Sequence, residues 1–300
     1  MHAGRISEYD AFGPWVYPLT DAESIPRLFR PYAERIAGSL LALKIPRDLE
    51  RRNATPDMDL YDAVLAVFPD GLLYLARRER DGRAEVAETA VSLDRIDRLT
   101  RETFLLLGCL TVHCGGKSVS IPYNTVSDAL MREAFTLIRS MLPRRETGVS
   151  PFAGLPSLVP STDFMEFGFV SLCLDAIREY PRLSLVAYQP FLEYGAPRRL
   201  KSKFLTAIAP KKRLRTAFAV LRSDTDLMIV TQTHSARRDS LRDYAYSETF
   251  MPLASVESVT AADFGAGTSS VRISGRGTEI ALLCDGANPY AASLRGLTGA

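Results

Sequence analysis

The sequence predicts an α+β chain that is predominantly β, in which a unit of short antiparallel strands closed by one C-terminal helix occurs twice. Three observations carry this. Turn residues recur between short apolar runs, the pattern of hairpins. Segments with helical apolar spacing close the strand-rich regions and do not alternate with the strands. The order of elements also repeats. Ser92-Leu-Asp-Arg-Ile96-Asp-Arg-Leu99-Thr leads to a strand over Leu105 to His113, a Cys-Gly-Gly turn, a strand over Ser118 to Tyr123 and a helix over Ser127 to Leu142. Pro252-Leu-Ala-Ser-Val256-Glu-Ser-Val259-Thr leads to Ser270 to Ile273, the turn Gly275-Arg-Gly277, Glu279 to Leu283 and a helix over Asn288 to Leu297.

Taken in order, residues 1–30 read as an N-terminal arm and Ser39 to Ile45 as the first strand. In the loop from Pro46 to Asp59, Arg47, Arg51 and Arg52 are neutralised by Asp48, Glu50, Asp57 and Asp59, which predicts a solvated loop. Leu60 to Phe68, the turn Pro69-Asp70-Gly71 and Leu72 to Arg78 form a hairpin, because Asp-Gly between apolar runs is a strong turn signal. Arg77, Arg78, Arg80 and Arg83 surround a further hairpin tip beside Glu79, Asp81 and Glu85. Thr125 and Asp128 can form a capping box for the helix that follows, and Leu130, Ala134, Leu137, Ile138 and Met141 give it one apolar stripe.

Pro143 to Ser161 alternates Pro with Gly and Ser and reads as a linker. The domains are therefore expected at 31–146 and 162–300, with 147–161 between them. Thr162 to Tyr180 leads the second domain as an amphipathic helix, on the spacing of Phe164, Phe167, Leu174 and Ile177. Lys203 to Ala209 is its candidate first strand, and Leu214 to Leu221 with Leu227 to Thr233 its hairpin. Asn288 as N-cap and Pro289 at the first helical position open the closing helix, with Tyr290, Leu294 and Leu297 on one side.

Composition places the chain among ordinary globular proteins: 300 residues, 46% hydrophobic, 24% charged, net charge +2. That charge is too small to imply a polyanionic partner for the whole molecule. The N-terminal residues lack the apolar core of a signal peptide, and no apolar run reaches the length of a membrane span, so a cytoplasmic chain is expected. Cys109, Cys114, Cys173 and Cys284 form no disulfide framework and no metal spacing, and they read as reduced thiols.

The two strand–turn–strand–helix endings, Ile96 to Leu142 and Val256 to Leu297, each preceded by its hairpin, resemble a tandem of pleckstrin-homology-like domains, similar to bacterial members of that superfamily. The resemblance implies two strongly bent antiparallel sheets or partly open barrels, each plugged by its helix. It implies binding of lipid headgroups, peptides or proteins and no catalysis. Neither closing helix carries the tryptophan common in the eukaryotic domains, since the only Trp is Trp15.

Arg198 to Arg222 contains no acid, and four of the six lysines fall between 201 and 212. In phosphoinositide-binding members of the resembled family, basic residues on and between the first two strands grip headgroup phosphates. Lys201, Lys203, Lys211, Lys212, Arg213 and Arg215 fall on an analogous strand–turn–strand and are the candidate anion-binding residues. Protection of an exposed sheet edge explains the same lysines. Nucleic acid is disfavoured, because no aromatic interleaving accompanies the charge.

Cys114-Gly-Gly-Lys117-Ser118 resembles the end of a phosphate-binding loop, but Thr111 stands where its first glycine is needed and a strand follows. Gly265-Ala-Gly267-Thr-Ser-Ser270 fails the dinucleotide fingerprint in the same way, so hairpin loops account for both. Of His2, His113 and His234, none has catalytic spacing, and His113 and Cys114 point to opposite faces of one strand. The function expected is non-enzymatic binding of a protein or peptide partner, with no cofactor and no metal. The alternative is anionic headgroup binding at the basic cluster, which would place the chain at the inner membrane face; an enzyme is the third class.

Overall fold

A computed structural model describes residues 8–144, 164–196, 212–235, 245–265 and 267–286. The chain is mostly β, and among the described residues its strands form three antiparallel sheets, none of them closed. It divides into two compact units. The first runs to Ile96 and takes in Leu106–Cys114 and Ser118–Pro143; the second takes Asp97–Leu105, Gly115–Lys117 and the chain from Arg144 on.

The first unit opens with a short helix, α1 (Glu8–Ala11), a two-residue strand, β1 (Tyr17–Pro18), two 3-10 turns and α2 (Ala33–Ile36). Its five-stranded sheet runs in chain order: β1, β2 (Leu41–Pro46), β3 (Tyr61–Val67), β4 (Gly71–Arg80) and β5 (Arg83–Ser92). One face of that sheet, with Val64, Ala66, Leu73 and Leu75, buries Phe12, Ile25, Phe29 and Ile36 of the N-terminal segment. The arm thus belongs to the core, through apolar residues spaced too irregularly to announce an element. The unit also holds β7 (Leu107–Cys114), β8 (Lys117–Asn124) and α3 (Asp128–Met141), whose buried side chains are Met131, Ala134, Phe135 and Ile138. Asn124 caps the 3-10 turn Thr125–Ser127 that leads into α3, its side chain accepting from Val126 N at 3.1 Å, and the N-cap of α3 is Ser127 and not Thr125.

In the second unit β9 (Ser184–Ala196), β10 (Lys212–Arg222), β11 (Asp226–Ser235) and β12 (Tyr246–Pro252) again lie side by side in chain order. The far edge of β12 pairs with β6 (Ile96–Phe104), with Glu248 opposite Arg101 and Phe250 opposite Leu99. A three-stranded sheet of β13 (Ser258–Gly265), β14 (Thr268–Gly275) and β15 (Thr278–Asp285) shares a core with it. Phe218, Val220, Leu227, Ile229 and Met251 meet Val271, Ile273, Leu282 and Cys284 there. On the other face lies α4 (Phe164–Glu179), burying Phe169, Val170, Cys173 and Ala176.

The order of elements recurs down to single hydrogen bonds. Four neighbouring strands (β2–β5, β9–β12) are followed by a 3-10 turn (Leu93–Arg95, Leu253–Ser255) and three more strands. Leu93 N donates to Asp70 O at 3.0 Å, and Leu253 N to Thr225 O at 2.8 Å, each tying the 3-10 turn to the preceding hairpin loop. The expected helix over Asn288 to Leu297, the expected strand over Lys203 to Ala209 and most of the Pro143 to Ser161 linker lie outside the described residues.

Two expectations are corrected. The amphipathic helix forms, but Phe167 is 53% exposed and Leu174 37%, while Phe169 and Cys173 are fully buried. The segment is apolar on nearly every side, so spacing alone left its buried face undetermined. Leu105 and Leu106 belong to a turn and not to the strand: β7 begins at Leu107, and Leu105 has a φ of 52°.

Close approach sets one glycine. A Cβ on Gly275 would sit 1.9 Å from the Ser255 carbonyl oxygen, a backbone atom that cannot swing aside. Gly275→Ala is therefore expected to cost about 1–3 kcal/mol, read as a lower urea midpoint by circular dichroism.

Candidate functional site

A cleft of about 460 Å3 opens in the first unit. Its floor comes from the second face of the five-stranded sheet, through Ile45, Ala63 and Tyr74. One wall is the loop from Pro46 to Arg51, and the other is Leu107 with Pro122, Tyr123 and Asn124; Gly13 and Pro14 close an end. This is the size of an ordinary ligand or peptide side-chain pocket, and its walls are mainly apolar.

Local chemistry holds the walls. The Tyr123 ring lies so close to Gly108 that a Cβ there would fall 2.3 Å from it, which fixes the ring against β7. Its hydroxyl donates to Asp128 Oδ1 at 2.8 Å, tying β8 to the start of α3. Arg47 donates to the Asp59 carbonyl at 3.1 Å, and its Nε stands 3.5 Å from Asp62 Oδ1. The Arg51 guanidinium lies 4.1 Å over the Tyr9 ring and bonds the Tyr9 carbonyl. The loop read from sequence as merely solvated is pinned at both ends and shapes a cavity.

Burial pushes the Asp62 carboxyl above the usual carboxylate range, against the pull of Arg47 and Arg77 and with help from Asp48 and Glu79. Burial likewise pushes the Tyr74 hydroxyl up to about 12, with the Asp62 charge adding to the effect.

Beside the mouth stands an exposed apolar rim. Leu107 is 62% exposed, Leu106 61%, Val126 51% and Trp15 48%. Thr125 N bonds Leu106 O at 3.0 Å and Val16 N bonds Ser127 Oγ at 2.8 Å, which gathers these residues next to Pro14 and Asn124 of the lining.

Of the basic residues singled out from sequence, those described lie on β10. Lys201, Lys203 and Lys211 fall outside the described residues. Lys212 and Arg213 stand opposite Ala196 and Gly195 in the pairing of β10 with β9. Arg215 stands opposite Glu193, with its guanidinium 5.7 Å over the Phe191 ring. Arg215 is paired on both sides, with Glu193 of β9 and His234 of β11, so it does not guard a sheet edge; Lys212 and Arg213 are paired with β9 alone among the described residues.

The Gly115-Gly116 pair, with φ values of 56° and 77°, makes a hairpin turn, as does Gly267 at 75°. The four cysteines are free thiols. Among the described residues no group of three His, Cys, Asp or Glu could hold a metal, and no helix is long and apolar enough to cross a membrane.

The cleft residues escaped sequence reasoning because they come from six separated stretches. The one local signal was the run Leu105-Leu106-Leu107 beside a turn, which periodicity assigns to a strand. No protein-family model matches the chain, and no curated protein matches it.

Proposed function

We propose that the chain is a non-enzymatic binding protein, built from two pleckstrin-homology-like modules, whose first unit captures a peptide segment of a protein partner in the cleft beside Leu107. The observation that carries this is the apolar rim. Four large apolar side chains in water around the mouth of an apolar cavity form the kind of patch that soluble chains reserve for partners. Arg47 is engaged with Asp62 and Tyr123 with Asp128, and these contacts hold the walls in shape. A membrane surface fits less well, because it cannot fill a concave site and the lip carries Asp48 and Glu50.

The test is a selection of random twelve-residue peptides on the immobilised whole chain, with counter-selection on Leu107→Asp. Leu107 is mostly exposed, so that change should leave stability within about 0.5 kcal/mol. Peptides that bind the wild type and lose at least tenfold in affinity on Leu107→Asp are expected. Peptides indifferent to the substitution would overturn the proposal. So would Leu107-dependent flotation with neutral phosphatidylcholine vesicles in the absence of any selected peptide.

A further inference from the structure

We infer that the segment held in the cleft carries a basic side chain next to its apolar anchor; this rests on the peptide reading above. Three acids line the cleft, Asp48, Glu50 and Asp62, against two bases, Arg47 and Arg51. Both bases are engaged: Arg51 is held on the Tyr9 ring and carbonyl, and Arg47 is shared between the Asp59 carbonyl and Asp62. Glu50 is paired with Arg52, which is not part of the lining.

That leaves Asp48 and Asp62. Asp48 carries no ion pair among the described residues, and Asp62 has one long contact with Arg47. Each feels the other, since the Asp48 charge helps to hold the Asp62 carboxyl above its ordinary range. Two like charges on the wall of an apolar cleft, Asp62 half-buried and Asp48 exposed, are relieved by a cation between them. A lysine or arginine fits the whole shape. Its alkyl stem can lie along Ile45, Pro46 and Leu49 while the charged head reaches the two carboxylates. A neighbouring large apolar side chain would then meet Leu107, Pro122 and Tyr123 at the other wall. An acidic segment would add a third like charge and be rejected.

The peptides selected for Leu107-dependent binding supply the probe. They are expected to be enriched in Lys or Arg within two positions of a large apolar residue. Replacing that basic residue with norleucine should weaken binding to the wild type about tenfold. On the Asp48→Asn/Asp62→Asn variant the same replacement should matter less than twofold. Both positions are partly exposed, and an unchanged urea midpoint would show that the variant keeps its fold.

Leu107-dependent peptides whose affinity ignores the norleucine replacement would overturn the charge preference and leave the cleft as a peptide site. An equal loss on wild type and double variant would do the same, by showing that the base is read elsewhere. Failure to select any Leu107-dependent peptide takes both readings down together.

Discussion

The Glu248→Ala variant is expected to lose about 3–5 kcal/mol of stability. Arg101 is fully buried, its side chain 0% exposed, and Glu248 lies opposite it where β6 pairs with β12. Nε of Arg101 donates to Glu248 Oε2 at 3.0 Å, and Nη2 donates to the same oxygen. Removing the carboxylate takes the acceptor from Nε and Nη2 of a fully buried guanidinium, and keeping those donors out of water is the main cost. The double variant Arg101→Met/Glu248→Leu should therefore recover most of the loss, because an apolar pair of similar volume removes the desolvation penalty altogether. Urea midpoints of the three variants measure it. A double variant no better than Glu248→Ala would contradict this account. The pair also marks register: a slip of one residue along β6 would set Thr100 or Glu102 opposite Glu248 in place of Arg101.

Phe169→Ala is expected to cost about 3–5 kcal/mol, and Phe167→Ala to change stability by no more than about 0.5 kcal/mol. The two residues are two positions apart on α4 and opposite in environment. The Phe169 ring stacks on Tyr188 with centroids 6.1 Å apart and meets Phe191 edge-on at 6.0 Å, so its removal opens a cavity under the helix. Phe167 stands half in water. Equal effects, or the reverse order, would mean that the helix is rotated from the phase described.

That helix shows where sequence stops being informative. A stripe can be read only when the remaining faces are polar, and Phe-Met-Glu-Phe-Gly-Phe-Val offers apolar residues all round. The hairpins β3–β4 and β10–β11 were legible because their turn residues and flanking runs are local, and α3 because charged residues occupy its outer face. Of its expected stripe of Leu130, Ala134, Leu137, Ile138 and Met141, Ala134 and Ile138 are buried, and Met131 and Phe135 are buried beside them. The pairing of β6 with β12 spans nearly 150 residues of chain, and no local pattern encodes it.

The cleft was the least legible feature, for a related reason. Arg47 to Arg51 look like balanced surface charge in sequence, and only the bonds to Asp59, Asp62 and Tyr9 turn that loop into a wall. The basic run after Arg198 was conspicuous, yet from Leu214 on its β10 residues sit between two neighbouring strands. Conspicuous charge marked one place, and an unremarkable set of apolar residues marked another.

Trp15 gives the central claim its most direct measurement. It is the only tryptophan in the chain and stands half-exposed next to Pro14 of the cleft lining, so its emission reports the mouth of the site without a label. Titration with a selected peptide lacking tryptophan is predicted to shift the emission to shorter wavelength, saturably, as water leaves the indole, and Leu107→Asp should abolish the shift. An emission spectrum that stays unchanged while calorimetry shows the same peptide fully bound would place the binding site elsewhere and contradict the account.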